Sequence, residues 1–198
     1  MRPQLSKNER GDITLYVQGK PYFVLGGELH NSSSSSLDYM DKKVWPNLRN
    51  LPLNTVLLPV YWEKIEKEEG QYDFTLVDGI IKQARRENIK LILLWFALWK
   101  NGESTYVPGW VKEDYQRFFR SCYKKDYPSE TISPFCKEAI AADAKAFSVF
   151  MKHLREIDGE ENTVIMVQVE NEIGFLGAER DFSSAAELEY QKEVPDEL

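Results

Sequence analysis

The residues best suited to chemistry stand where a hydrophobic run meets acid, in Thr163-Val-Ile-Met-Val-Gln-Val-Glu-Asn-Glu-Ile-Gly174. Val164, Met166 and their neighbours read as a buried strand, and that strand ends in Glu170, Asn171 and Glu172. Two carboxyls and an amide beside buried apolar groups cost desolvation that packing alone does not explain. A carboxyl at Glu172 would protonate the leaving oxygen of a glycosidic bond. The amide of Asn171 would hold a sugar 2-hydroxyl, whose hydrogen bonds strengthen in the transition state. The plainer alternative is a strand end whose acids simply face solvent.

Three more strand-like runs precede this one: Tyr22 to Leu25, Asn54 to Val60 and Ile89 to Phe96. Each is followed by a longer amphipathic stretch, the signature of parallel βα units. Strand starts at 22, 54, 89 and 163 lie 32, 35 and 74 residues apart, so the third unit carries an insertion, expected as a long loop over 100–136. Helices are expected over 36–51, 76–87 and 137–157. The first shows Leu37, Met40, Val44, Trp45 and Leu48 on one face after a Ser-rich cap, with Pro46 expected to kink it. The second shows Leu76, Ile80, Ile81 and Ala84 behind a capping Asp73. The third shows Ile140, Ala144, Phe147, Met151 and Leu154 and ends before Gly159.

Parallel βα units with no antiparallel strand form either an open doubly wound sheet or a barrel of eight. No Gly-x-Gly-x-x-Gly follows any strand, which removes the main reason for a dinucleotide-binding reading. The expectation is an α/β fold, the first four units of a (β/α)8 barrel. In such a barrel the working residues sit at the carboxyl ends of the strands. Those ends read Gly26-Gly27-Glu28-Leu29-His30-Asn31, Tyr61-Trp62-Glu63 and Trp95-Phe96-Ala97-Leu98-Trp99-Lys100-Asn101, besides 170–172. Acids, amides and flat rings suit a sugar: polar groups meet the hydroxyls, and Trp62, Trp95, Trp99 or Trp110 would lie against an apolar pyranose face. For any one tryptophan the alternative is core packing.

Composition narrows the partners. The chain has 198 residues, 42% of them hydrophobic, with 25 Lys plus Arg against 32 Asp plus Glu and a net charge of −7. It is expected to be one domain, 1–198, with a polar arm at 1–12. No basic stripe is present to neutralise phosphates, so no nucleic-acid partner is expected. The longest apolar run, Leu91 to Leu98, is far too short to span a bilayer. The polar N-terminus lacks a secretory pattern, so the chain as written is expected in the cytoplasm, or in the periplasm or outside if the N-terminus is incomplete. Two cysteines, Cys122 and Cys136, and two histidines, His30 and His153, give no metal-ligand spacing. No metal or cofactor is expected, because two carboxylates suffice for glycoside hydrolysis.

The strand-end residues, with Asn54-Thr55-Val56 and Glu69-Gly70-Gln71-Tyr72-Asp73-Phe74 after the second strand, resemble glycoside hydrolase family 35. This β-galactosidase-like family falls in clan A of the retaining (β/α)8 glycosidases, and the similarity is to the N-terminal half of its catalytic barrel. The resemblance implies hydrolysis of terminal β-galactosides with Glu172 as acid/base and Asn171 as its neighbouring sugar ligand. It places Glu28, His30, Asn31, Trp62 and Glu63 around the glycone, and Trp99 is a further candidate platform. Ile173 stands where the family usually has tyrosine. In the clan the nucleophile lies after strand seven, and Glu28, Glu63, Glu103 or Glu170 would replace it only with a geometry this fold does not normally offer. The chain is therefore expected to be the acid/base half of a truncated or split enzyme. Its open sheet edges would lead it to self-associate or to join the missing half. The alternatives are a catalytically incompetent chain that still binds carbohydrate, and a flavodoxin-like βα domain with no role in sugar chemistry.

Overall fold

Residues 1–101 and 104–194 are described by the computed structural model, and Glu103 lies outside them. The chain opens with a small antiparallel sheet of β1 (Gln4–Lys7), β2 (Ile13–Val17) and β3 (Lys20–Pro21). The 1–12 segment is therefore half of a hairpin. Its turn is closed by the Asn8 side chain, whose Oδ1 accepts from the backbone N–H of Arg10 and Asp12 at 2.9 Å each.

The main sheet is parallel, in the order β4 (Gly26–Glu28), β5 (Thr55–Tyr61), β6 (Lys90–Phe96) and β9 (Val164–Val169). β5, β6 and β9 match the expected runs to within a residue. The first strand does not, because Tyr22–Leu25 lies outside any strand and pairing starts at Gly26. The side chain of Asn54 explains the shift by engaging backbone groups that a strand would use. Its Oδ1 accepts from Leu25 N–H at 2.9 Å and its Nδ2 donates to the Phe23 carbonyl at 2.7 Å. At Gly26 the backbone comes so close to β5 that a Cβ would meet Leu57 Cδ1 at 3.3 Å.

The helices follow their periodicity. The first segment runs as α1 (Leu37–Tyr39), a π turn (Met40–Val44) and α2 (Trp45–Leu48), and Ser36 Oγ accepts from Tyr39 N–H as its cap. The Pro46 irregularity takes the form of that π turn. Proline brings no N–H to bond the carbonyl four residues back, and the Trp45 N–H bonds the Met40 carbonyl instead. A short α3 (Trp62–Ile65) follows β5, and α4 (Thr75–Arg86) begins where Asp73 Oδ1 accepts from Thr75 N–H at 2.9 Å.

The 100–136 insertion holds more than loop: it contains α5 (Gly109–Glu113) and the antiparallel hairpin β7 (Arg120–Lys124) and β8 (Tyr127–Ile132). Both antiparallel sheets escaped an argument that looked only for βα alternation. α6 (Lys137–Asp158) ends at Gly159 as expected, and α7 (Ser184–Tyr190) closes the described chain. The buried stripe of α6 is Ala139, Asp143, Ala146, Phe150 and Leu154, whereas Ile140 and Met151 are exposed. This helix is apolar on two adjacent faces, so periodicity alone could not say which of them meets the sheet.

The core lies between the helices and one face of the sheet, where Val56, Leu58, Leu91, Leu93 and Trp95 meet Trp45, Ile81, Ala84 and Phe150. The other face carries a smaller cluster of Tyr61, Leu94 and Phe96, covered by Tyr106. Between β9 and α6 runs an open, mainly apolar groove of about 500 Å³, lined by Phe147, Met151, Met166 and Val169 among others. Among the described residues no helix is long and apolar enough to cross a membrane.

Asp158 ties these elements together. Only 4% exposed, it accepts from Arg85 Nη2 at 2.6 Å and from the N–H groups of Thr163 and Val164 at 3.1 and 2.7 Å. It thus fixes the start of β9 to α4 and α6. Asp158→Asn turns one acceptor into a donor facing these N–H groups, and should cost about 1–3 kcal/mol in urea unfolding. An unchanged midpoint would show that this junction contributes nothing.

Candidate active site

Because all four strands of the main sheet run in one direction, residues 29–31, 61–63, 97–101 and 170–172 follow the carboxyl ends of those strands, while 26–28 pair with 55–57 at the start of β5. Glu28 closes β4 opposite Leu57 and is exposed, as are His30 and Asn31. The Asn31 carbonyl accepts from Tyr61 Oη at 2.6 Å, which fastens the first strand end to the second. Burial pushes the Tyr61 hydroxyl up to about 12, so it keeps its proton and remains a donor at neutral pH. Tyr61, Phe96 and Tyr106 form an aromatic trio with centroids 5.3 to 6.4 Å apart, which floors this end of the sheet.

At the second strand end the two expected sugar contacts part company. Glu63 is partly exposed, pairs with Lys112 Nζ at 2.8 Å, and donates its backbone N–H to the Tyr106 carbonyl at 2.9 Å. Trp62 is 0% exposed, and its indole donates to Glu66 Oε2 at 2.6 Å and stands edge-on to Trp110. Trp62 therefore offers no face to a sugar, which corrects the expectation from sequence. α3 starts at this residue and turns its side chain into the core. Trp95 is likewise fully buried, against Phe147 and Phe150. Trp99 keeps partial exposure, with its indole donating to the Ile132 carbonyl at 3.2 Å.

The third and fourth strand ends are laced together. Asn171 Nδ2 donates to the Lys100 carbonyl at 2.8 Å, and its Oδ1 accepts from Gln168 Nε2 at 2.8 Å. Lys100 Nζ reaches Glu172 Oε2 at 3.3 Å, where the Glu172 side chain is 64% exposed. Glu170 turns the other way, and its Oε2 accepts from Trp99 N–H at 2.9 Å. Its carboxyl is held far above the usual carboxylate range, first by burial and then by a hydrogen bond to, and the charge of, Asp143 on α6. Asp143 in turn accepts from the Trp95 indole at 2.8 Å.

Three of the expected residues, Asn171, Glu172 and Trp99, thus meet through Lys100 and Glu170. His30, Asn31 and Glu63 follow strand ends on the same side and Glu28 lies opposite Leu57, none with a hydrogen bond to that group among those described. Lys100 was legible as a strand-end residue but had no partner assigned. Asp143 was missed, although a carboxylate on an otherwise apolar helix stripe was a readable sign. Among the described residues no group of three or more His, Cys, Asp or Glu side chains is arranged to hold a metal ion.

Two known proteins and one family are similar to this chain. A β-galactosidase of Xanthomonas manihotis is 33% identical over 78 residues, which is 38% of this chain and 13% of that protein. An exo-β-1,4-mannosidase from Opitutaceae bacterium strain TAV5 shares the fold, with a TM-score of 0.53 at 16% identity over 85% of this chain and 27% of that one. The chain thus spans only a minor part of either relative. The sequence profile of glycosyl hydrolases family 35 matches residues 14–198, and the chain belongs to that family.

Proposed function

We propose that this chain forms the acid/base-bearing part of a retaining β-galactosidase-like hydrolase, its four parallel βα units being the first four of a (β/α)8 barrel. The observation that carries the reading is the Glu170-Asn171-Glu172 turn at the carboxyl end of β9, with Asn171 and Glu172 both tied to Lys100. In this reading Glu172 protonates the departing glycosidic oxygen and later takes a proton from the attacking water. Asn171 holds the sugar 2-hydroxyl; Glu28, His30, Asn31 and Glu63 meet other hydroxyls, and Trp99 offers a flat face.

The nucleophile would come from a part of the barrel outside these four units, about 5–5.5 Å from the acid. A general acid must hold its proton at neutral pH, and burial is the ordinary way to achieve that. Closure of the remaining rim over Glu172 would supply the burial. The groove beside β9 is where a fifth strand would lie, so association with the rest of the barrel covers Met166 and Val169.

The test is to follow hydrolysis of a terminal β-galactoside by the full-length gene product with proton NMR. The expected first product is β-galactose, which mutarotates only afterwards. First release of the α anomer would exclude the retaining mechanism. Galactoside binding without turnover would favour a carbohydrate-binding chain.

A further inference from the structure

The turn that presents Glu172 is strained. Glu170 has φ +59° and Glu172 φ +44°, both in the left-handed region that costs an L-residue about 1–2 kcal/mol. Such residues persist only where their surroundings hold them. Part of the hold is visible in Gln168 Nε2, which donates to the Glu170 carbonyl at 2.9 Å, and in Asn171, bonded to Lys100. Neither contact reaches below the sheet end into the core. The Glu170 side chain does, meeting the Trp99 N–H above and Asp143 of α6 behind.

Two carboxyls can hydrogen-bond only if one proton lies between them. Asp143 already accepts from the Trp95 indole N–H, and Glu170 Oε2 already accepts from Trp99 N–H. One oxygen of each carboxyl therefore remains for a proton shared between them.

We propose that Glu170 is a positioning residue: its carboxyl, beside Asp143 and accepting from the Trp99 N–H, anchors the strained turn that holds Asn171 and Glu172 at the site. This rests on the function proposed above for Glu172 and adds a role to the residue two before it. A glutamine at 170 can make the same contacts, donating to Asp143 through its amide and accepting from Trp99 through its oxygen. An alanine can make neither.

Around Glu170, α6 contributes Asp143, the 98–99 segment contributes backbone N–H groups, and the ammonium of Lys100 is turned to Glu172. The raised Glu170 carboxyl binds its proton more tightly in the folded state than in the unfolded one. Stability should therefore fall as pH rises from the ordinary carboxylate range through its folded value.

The experiment compares Glu170→Ala, Glu170→Gln and Asp143→Ala in the full-length protein. Glu170→Ala and Asp143→Ala should lower kcat at least tenfold with KM changed less than threefold, and should speed hydrogen exchange at the Trp99 amide. Glu170→Gln should restore kcat to within about threefold, keep the Trp99 amide protected and remove the alkaline loss of stability. A glutamine variant as impaired as the alanine one, or one that fails to fold, overturns the proposal. So does an alanine variant with unchanged kcat and Trp99 exchange. Failure of the hydrolase reading would register separately, as activity surviving Glu172→Gln, while Trp99 exchange and the pH dependence of stability still report on the pair.

Discussion

If Glu172 is the general acid proposed above, Glu172→Gln in the full-length protein should lower turnover of galactosides with sugar or alkyl leaving groups by about 10²–10⁴-fold, the range contributed by a positioned general acid. Such leaving groups depart as poor alkoxides unless they are protonated, so the loss falls on the step that breaks the glycosidic bond. An aryl galactoside with an acidic phenol needs little protonation, and its first step should suffer much less. Glutamine keeps the size of the side chain and can still meet Lys100, so folding should be nearly unchanged for a group whose side chain is 64% exposed. Comparing kcat/KM for the two leaving-group classes makes the assignment specific. Equal losses on both would point to a structural role, and no loss on either would remove Glu172 from the mechanism.

Trp62→Ala should cost about 3–5 kcal/mol of stability, as truncating a large buried aromatic does. The side chain is 0% exposed and packs edge-on against Trp110. Its removal also takes away the indole donor of Glu66 Oε2, a carboxyl on a residue only 2% exposed. Glu66 Oε1 would keep the Gly70 N–H at 2.7 Å, so part of that group stays satisfied. Trp62→Phe, which keeps most of the volume, should recover much of the loss. Urea unfolding of the three proteins decides the matter. A Trp62→Ala protein as stable as its parent but unable to bind galactose would show that the indole serves as a sugar platform after all.

Much of the main sheet was legible because its signals are local. Runs such as Leu91 to Phe96 are too apolar for anything but a strand buried on both faces, and Ser36, Asp73 and Gly159 mark helix ends by chemistry that depends only on their neighbours in sequence. The first strand was misplaced by four residues because its limits are set by Asn54, some 30 positions away. The antiparallel strands at the start of the chain and in the 100–136 insertion were missed for a related reason. β1 is short and polar and β8 is only partly buried, so neither repeats the pattern of the parallel strands.

By itself the sequence determined which residue types reach the carboxyl ends of the strands: acids, amides and tryptophans, with Glu170-Asn171-Glu172 as the most specific group and the family it resembles. Residue type and order along a strand are properties of the chain alone. Only the tertiary structure decided what each group does there. Trp62 and Trp99 are the same residue at comparable strand ends, yet one starts a helix that turns it into the core and the other stays beside the turn. Glu170 and Glu172 are two residues apart, yet one meets Asp143 from α6 and the other meets Lys100 and solvent. The burial and the partners of each carboxyl are supplied by elements distant in sequence.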